Sequence, residues 1–294
     1  NKMNLPFFIA RRYLFSKNLP GVIHFISIIS LIGILTGSFA LIVILSVFNG
    51  FQEVIDDLYS SFDSDLRIES VKGKFFKPDA ITIDGRPLTQ FIAEHDDIMA
   101  YSHVIEENVL LRYSGEQSIA RIKSIEPEYL NALNMDSMVF RGKNSIKSGK
   151  YPLALIGSGI ASNLKISLDD FDGLMVFIPD EENKNVLLNP QNAFRQMSLQ
   201  PGGIFSIQQD FDQKYVMTDI DFMRKLTRKK DAVSAIEMSC KDQHIAGIQS
   251  ELKSLLPDEL RINTRFEQHS ALYKVMKYEK AAVFIILTFI LIIA

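Results

Sequence analysis

Few side chains in this sequence have the types and spacing that catalysis or metal binding requires. The five histidines, at positions 24, 95, 103, 244 and 269, include no HxxxH pair and have no cysteine partner, so we expect no metal site. GKNSIKSGK (142–150) has its second glycine misplaced for a phosphate-binding loop, and GSGIAS (157–162) is more typical of a tight turn than of a dinucleotide site. Without a GxSxG elbow for a nucleophile, the sequence predicts no catalytic residue, no cofactor and no enzymatic activity.

The segment 33–55, GILTGSFALIVILSVFNGFQEVI, indicates packing between membrane helices. Gly33 and Gly37 are spaced four residues apart, which lets two membrane helices approach closely, so we predict that they form a packing face. Glycine is also common throughout membrane helices, and that simpler interpretation stays open. The apolar run ends on an aromatic and polar group of residues at 48–52.

This segment belongs to a longer apolar stretch that contains only one ionisable residue, His24, between Lys17 and Glu53. At about 1.5 Å per helical residue it is long enough to cross a hydrocarbon layer of roughly 30 Å, and we predict a first transmembrane helix at residues 22–50. The run is too long for a signal peptide and lacks a cleavage site. Residues 280–294 predict a second, truncated transmembrane helix, after which we expect further spans.

The distribution of charge predicts the orientation. Four cations precede the first acidic residue, so we place the N-terminus in the cytoplasm, with residues 1–21 as a short helix in the membrane interface. Residues 53–280 then lie outside the cytoplasm. They contain all 35 acidic residues and 28 of the 32 basic ones, a net charge of −7, which argues against a nucleic-acid partner.

The sequence pattern of the exterior region predicts an α+β fold made of two similar halves around an insertion. Strand-like alternation and helical spacing predict a strand, a helix and a strand within residues 51–112, and again within 212–279. Cys240, the single cysteine, fits a small buried strand residue of the second half. We predict that the halves form one subdomain, because no Pro/Gly/Ser-rich linker separates them as independent domains.

The insertion, residues 113–211, is predicted to be rich in β-strands, at 117–125, 151–157 and 173–179. A long polar stretch with a small apolar island follows Pro179, and a loop of this length in a compact domain is usually functional or disordered. TDIDFMRKLTRKK (218–230) then predicts a helix capped by Thr218, with a solvated basic end.

Six stretches of the chain form a recognisable series of motifs: FIARRYLFS (8–16), ISIISLIGILTGSFALIVILSVFNGFQ (26–52), IARIKSIEPEYL (119–130), LALIGSGIASNL (153–164), GGIFSIQQDFDQKYVMTDI (202–220) and FEQHSALYKVMKYEKAAVFIIL (266–287). The series resembles the LolC/LolE family of lipoprotein-releasing permeases, part of the wider MacB/FtsX group of ABC transporter membrane subunits. The chain departs from the family pattern at Arg265, where a tryptophan is frequent, at His269, where an asparagine is frequent, and at LDDFDG (168–173).

The resemblance implies a four-helix permease in the bacterial inner membrane, with a periplasmic domain that combines a split Porter-like subdomain and an inserted Sabre-like subdomain. It implies an ABC ATPase partner resembling LolD and a second, like or identical permease subunit. It further implies contact with membrane lipid, a lipoprotein substrate and a periplasmic carrier resembling LolA. ATP hydrolysis would occur on the separate ATPase, and its motion would pass mechanically to the periplasmic domain.

The resemblance also suggests functional residues. At the outer end of the first helix, we predict that Phe48, Asn49, Phe51 and Gln52 line a lipoprotein cavity, with an interfacial anchor as the alternative. In the region that corresponds to the carrier-binding hook of LolC-type members, the candidates are Val186, Leu187, Leu188, Phe194 and Arg195.

Two other functions remain open from the sequence. One is a MacB-like efflux permease, which would use the same mechanics on a different cargo. The other is a two-span extracytoplasmic sensor. Sequence after residue 294 would separate them, because two further spans indicate a permease and a cytoplasmic kinase indicates a sensor.

Overall fold

A computed structural model describes residues 8–9, 21–133, 135–170, 172–180 and 193–293. The described chain divides into two compact units, Asn1–Ile55 with His269–Ala294, and Asp56–Gln268. The helices are α1 Gly21–Ser60, α2 Leu88–Ala93, α3 Ser158–Asn163, α4 Gln209–Asp212, α5 Ile220–Thr227, α6 Ile245–Leu255, α7 Arg265–Gln268 and α8 Ser270–Ile293.

The strands are β1 Leu66–Ser70, β2 Thr82–Ile83, β3 Arg86–Pro87, β4 Ile98–Tyr113, β5 Glu116–Ile125, β6 Val139–Gly142, β7 Lys147–Ser148, β8 Tyr151–Gly157, β9 Leu174–Pro179, β10 Phe194–Phe205, β11 Tyr215–Asp219, β12 Ala235–Cys240 and β13 Leu260–Thr264. Short 3₁₀ turns lie at Pro78–Ala80, Pro127–Ala132 and Asp242–His244.

The first unit contains most of α1 together with α8. Among the described residues, one helical stretch, Phe25–Ser60, is long and apolar enough to cross a membrane by its length and composition. The helix continues to Ser60, ten residues beyond the predicted end at residue 50. No proline interrupts it, and its last turn is held by Tyr59, whose ring packs edge-on against Phe211 with 5.1 Å between centroids.

The second unit is built on an eleven-stranded sheet in the order β13-β1-β12-β4-β5-β11-β8-β10-β6, with β7 beside β8 and β9 joined to both β10 and β4. Because β9 pairs with both, the strands β4, β5, β11, β8, β10 and β9 close into a ring. Closure of this kind removes free sheet edges. A buried cluster fills the ring region, with members from α3 and α5 as well as from the strands.

The remaining strands, β13, β1 and β12, extend the sheet from β4 and share a second buried cluster with α2 and α6. Segments about 170 residues apart, such as Arg67 and Glu237, are therefore cross-strand neighbours. The structure confirms the predicted α+β class. The core of the ring includes Val216 and Leu226, so it extends past the predicted boundary of the insertion at residue 211.

One local prediction, the cap of the helix after residue 218, was wrong. Asp219 caps α5, accepting a hydrogen bond from the Asp221 amide at 3.2 Å, while Thr218 lies in β11 and donates to the Leu153 carbonyl. The GSGIAS segment follows β8 and turns directly into α3 at Gly157 and Ser158. Gly157 is required there because a Cβ at this position would collide with the carbonyl oxygen of Asp212.

Candidate functional site

Gly37 of α1 packs against Leu291 of α8 within the first unit. This glycine is buried, and a Cβ placed on it would lie 3.6 Å from Cδ1 of Leu291, an ordinary van der Waals distance. Gly33, one turn earlier, is half-buried. The structure therefore places Gly37 at a helix contact that has room for a methyl group.

A hydrogen bond joins the same two helices further along. Lys280 donates from Nζ to Asn49 Oδ1 at 2.6 Å. This pair and the Gly37–Leu291 contact are about three turns apart on both helices, so α1 and α8 run antiparallel. Lys280 immediately precedes the uncharged run 281–293, so its charge lies where the helix becomes wholly apolar.

Next to this hydrogen bond is a cavity of about 330 Å³. Phe48 and Gln52 line it from α1, and Tyr273, Met276, Lys277 and Lys280 line it from α8. Phe48 and Gln52 are four residues apart and so occupy the same helix face. Aromatic and thioether walls beside two amines suit an amphipathic ligand with an apolar part and a polar or anionic head.

The four residues predicted to line a cavity have different surroundings in the structure. Phe48 and Gln52 line the cavity, and Asn49 binds Lys280 at its edge. Phe51 is 54% exposed and is not among the lining residues. The lining residues of α8 were missing from the prediction, although the tyrosine, methionine and lysines recur at helical spacing directly before the apolar run.

The strands that continue these helices are directly paired in the second unit. β1 follows α1 and β13 precedes α8, and the two strands pair antiparallel with Leu66 opposite Thr264. Arg265 forms an ion pair with Asp65, with 2.5 Å between Nη2 and Oδ1, and Gln268 donates to the Ser64 carbonyl at 3.3 Å. Arg265, where the resembling family often has tryptophan, thus supplies a polar link between the two chain segments.

The predicted hook region is described only at its base. Val186, Leu187 and Leu188 lie outside the described residues. Phe194 is exposed at the start of β10. Arg195 is half-buried, donates to the Thr227 carbonyl at 2.9 Å and pairs with Asp180 at 2.5 Å. Arg195 therefore ties the neighbouring ends of β9 and β10 to α5.

Sequence reasoning also missed a group of paired charges, in which Lys123 and Glu237 are buried and Arg67 and Glu106 are half-buried. Burial by itself would lower the pKa of Arg67, but the carboxylates of Glu106, Glu237 and Glu69 outweigh it and raise the pKa. The alternation of apolar and polar residues in β5 did not indicate that Lys123 is buried, because this strand is covered on both faces near its end. Within the described ranges, no group of three histidine, cysteine or acidic residues could hold a metal ion.

Comparison with known proteins gives relatives over almost the whole chain. The lipoprotein-releasing system transmembrane protein LolC of Neisseria meningitidis serogroup B is 25% identical over 298 residues, covering 99% of this chain and 68% of that protein. LolE of Haemophilus influenzae is 22% identical over 244 residues, covering 82% of this chain and 56% of that protein. The chain thus spans about two thirds of the length of the LolC relatives it matches.

Two solved structures show a more distant similarity. The extracellular domain of the transporter YknZ from Gram-positive bacteria has a TM-score of 0.46 at 10% identity, covering 68% of this chain and 99% of that one. The periplasmic region of MacB from Actinobacillus actinomycetemcomitans has a TM-score of 0.45 at 8% identity, covering 73% and 94%.

A family model, the MacB-like periplasmic core domain, matches residues 27–253. This match covers more than half of the chain and includes most of α1 as well as most of the second unit. The chain therefore belongs to the MacB-like periplasmic core domain family and, like its LolC and LolE homologues, is a transmembrane permease subunit of the ABC transporter type rather than an enzyme.

Proposed function

We propose that this chain belongs to the permease of a lipoprotein-releasing ABC transporter in the bacterial inner membrane. The observation that carries the proposal is the cavity between α1 and α8, where Phe48 and Met276 offer apolar surface next to Lys277 and Lys280. A lipid-modified protein has an apolar acyl part and a polar part, which this lining could accommodate together. The LolC and LolE relatives support the same cargo.

In the proposed arrangement the N-terminus is cytoplasmic and the second unit is periplasmic. The four cations before the first acidic residue support this orientation. A separate ABC ATPase resembling LolD would supply the energy, and a second permease subunit, identical or similar, would complete the membrane part. Phe194 and Arg195, with Val186, Leu187 and Leu188, are the proposed hook residues for a carrier resembling LolA.

The mechanical step of the proposal follows from the connection of helices to strands. α1 passes into β1, and β13 passes through α7 into α8, so a displacement of either helix acts on adjacent strands of one sheet. The Asp65–Arg265 pair keeps these strand ends together. ATP-driven movement of the helices would then change the periplasmic domain and drive the cargo outward from membrane lipid.

A MacB-like efflux permease is the second candidate, favoured by the family match over residues 27–253. Purification of the full-length protein from its host, with identification of the bound proteins, separates the two. Recovery of an ATPase with acylated lipoproteins supports the first function. Recovery of an outer-membrane channel and an adaptor without lipoproteins supports efflux and contradicts lipoprotein release.

A further inference from the structure

A buried lysine lies where α1 ends in the second unit. Lys123, on β5, is 1% exposed, and its Nζ donates to the backbone carbonyl of Phe62 at 2.7 Å. Phe62 follows α1 by two residues, and the Lys123 amine also lies 4.4 Å from the centre of its ring. A cation thus contacts both the main chain and the side chain of this segment.

The contact continues across the sheet as a chain of ion pairs. Lys123 Nζ lies 2.9 Å from Glu237 Oε2 on β12, and Glu237 is fully buried. The other oxygen of Glu237 lies 2.5 Å from Arg67 Nη1 on β1, and Arg67 Nη2 lies 3.1 Å from Glu106 Oε2 on β4. Two cations and two carboxylates therefore join the end of α1 to four strands.

Apolar packing alone would bury the end of α1. The Phe62 ring lies 4.7 Å from the ring of Phe211 and 4.7 Å from that of Tyr215, centre to centre. A buried ion pair is costly to desolvate, and apolar residues of similar volume often stabilise a fold at least as well. The Lys123–Glu237 pair also orients the end of α1. The hydrogen bond from Lys123 to the Phe62 carbonyl fixes the rotation and position of this segment.

We propose that Lys123 and Glu237 are positioning residues that carry displacement of the α1 end directly to β12 during transport, in addition to the main-chain route through β1. The inference rests on the proposed function, because the ATPase of that system would supply the displacement. Glu237 is the link, since one carboxylate contacts both Lys123 and Arg67. Neutralising both partners of the Lys123–Glu237 pair should remove the side-chain route from Phe62 to β12 without leaving a buried charge unpaired, while the main-chain pairing of β1 with β12 stays.

The test uses the full-length permease with its co-purified ATPase. Hydrogen exchange is measured with and without a non-hydrolysable ATP analogue in peptides covering 58–66 and 235–240. We expect the wild type to respond in both peptides. The double variant K123M/E237Q should keep its ATPase rate and the response at 58–66, while the response at 235–240 falls about twofold, because the β1–β12 pairing still transmits part of the displacement. K72M, at an exposed ion pair with Glu259, is the matched control and should match the wild type.

Three results overturn the inference. They are a wild type that responds at 58–66 but not at 235–240, a double variant that responds as the wild type does, and a double variant that fails to fold, which would make the pair structural. If the wild type shows the expected exchange but releases no lipoprotein, the proposed cargo is wrong, whereas the coupling through Lys123 and Glu237 is supported.

Discussion

Asp65 is bound from two directions, by the side chain of Arg265 at 2.5 Å and by the backbone amide of Cys240 at 2.8 Å. The residue that precedes β1 is thus joined both to the residue that follows β13 and to the end of β12. This carboxylate connects three strand ends at the place where the chain enters and leaves the second unit.

Replacing Arg265 should weaken that connection. R265Q leaves Asp65, which is largely buried, with one partner fewer, and we expect the free energy of unfolding to fall by about 1–3 kcal/mol. Thermal or denaturant unfolding of the full chain in detergent measures the change. R261Q is the control, because Arg261 pairs with Glu69 at an exposed site and should cost less than about 1 kcal/mol. Equal losses would contradict the role given to Arg265.

Substitutions at Gly37 test the packing of α1 on α8. A methyl group at this position would lie at an ordinary contact distance from Leu291, so G37A should leave stability unchanged or raise it by up to about 1 kcal/mol, because alanine is the better helix former. G37L should destabilise the chain by about 1–3 kcal/mol through overpacking. Unfolding in detergent reports both. G50L serves as the control, since nothing lies within 4 Å of a Cβ at Gly50. A G37L variant as stable as G50L would rule out the contact.

The thiol of Cys240 should resist alkylation in the folded protein. Burial, with added repulsion from the carboxylates of Asp65 and Asp97, raises its pKa to about 12. A thiolate fraction about a thousandfold below that of a free cysteine follows from the shift. We expect maleimide to label K72C rapidly in a C240S background, while Cys240 reacts only after denaturation. Rapid native labelling of Cys240 would show that β12 is accessible.

Glu126 should make stability depend on acid pH. Burial alone would raise its pKa, but hydrogen bonds from His103 and Ser102 and the charge of His103 outweigh it and lower the pKa from its ordinary value. The charged form therefore stabilises the fold above the unfolded pKa, and this contribution is lost as pH falls through the folded pKa.

The variant E126Q should lose about 1–2 kcal/mol at pH 7 and converge with the wild type at acid pH. Unfolding measured from pH 7 to pH 3 gives both curves, and E128Q, at an exposed neighbour, is the control. A constant difference at all pH values would show that the Glu126 charge is not responsible.

Local sequence patterns are sufficient to predict the helices and strands that bury one face, because residue spacing shows which face that is. The strand at Tyr151–Gly157 follows from its composition, and the α+β class follows from two repeated strand and helix patterns. The ring closed by β9 could not be predicted, because it depends on pairing between segments far apart in the sequence.

The residues of the candidate site also divide into those that a local pattern predicts and those that only the tertiary fold reveals. Gly37 and Phe48 could be selected from spacing and residue type within one helix. The facing residues, such as Leu291 and Tyr273, depend on the register of α8, which no local pattern specifies. Lys123 and Glu237 lie in ordinary-looking strands, and only the tertiary fold makes their charges buried and paired.

The claim that α1 and α8 form the binding site for an acylated lipoprotein is tested most directly by photo-crosslinking. A benzophenone amino acid replaces Phe48 in the full-length protein within its native membrane, and the matched variant carries it at Phe51, outside the cavity lining. We expect an adduct with acylated lipoprotein from position 48, and far less from position 51. Equal adducts from both positions, or adducts with phospholipid alone, would contradict the claim.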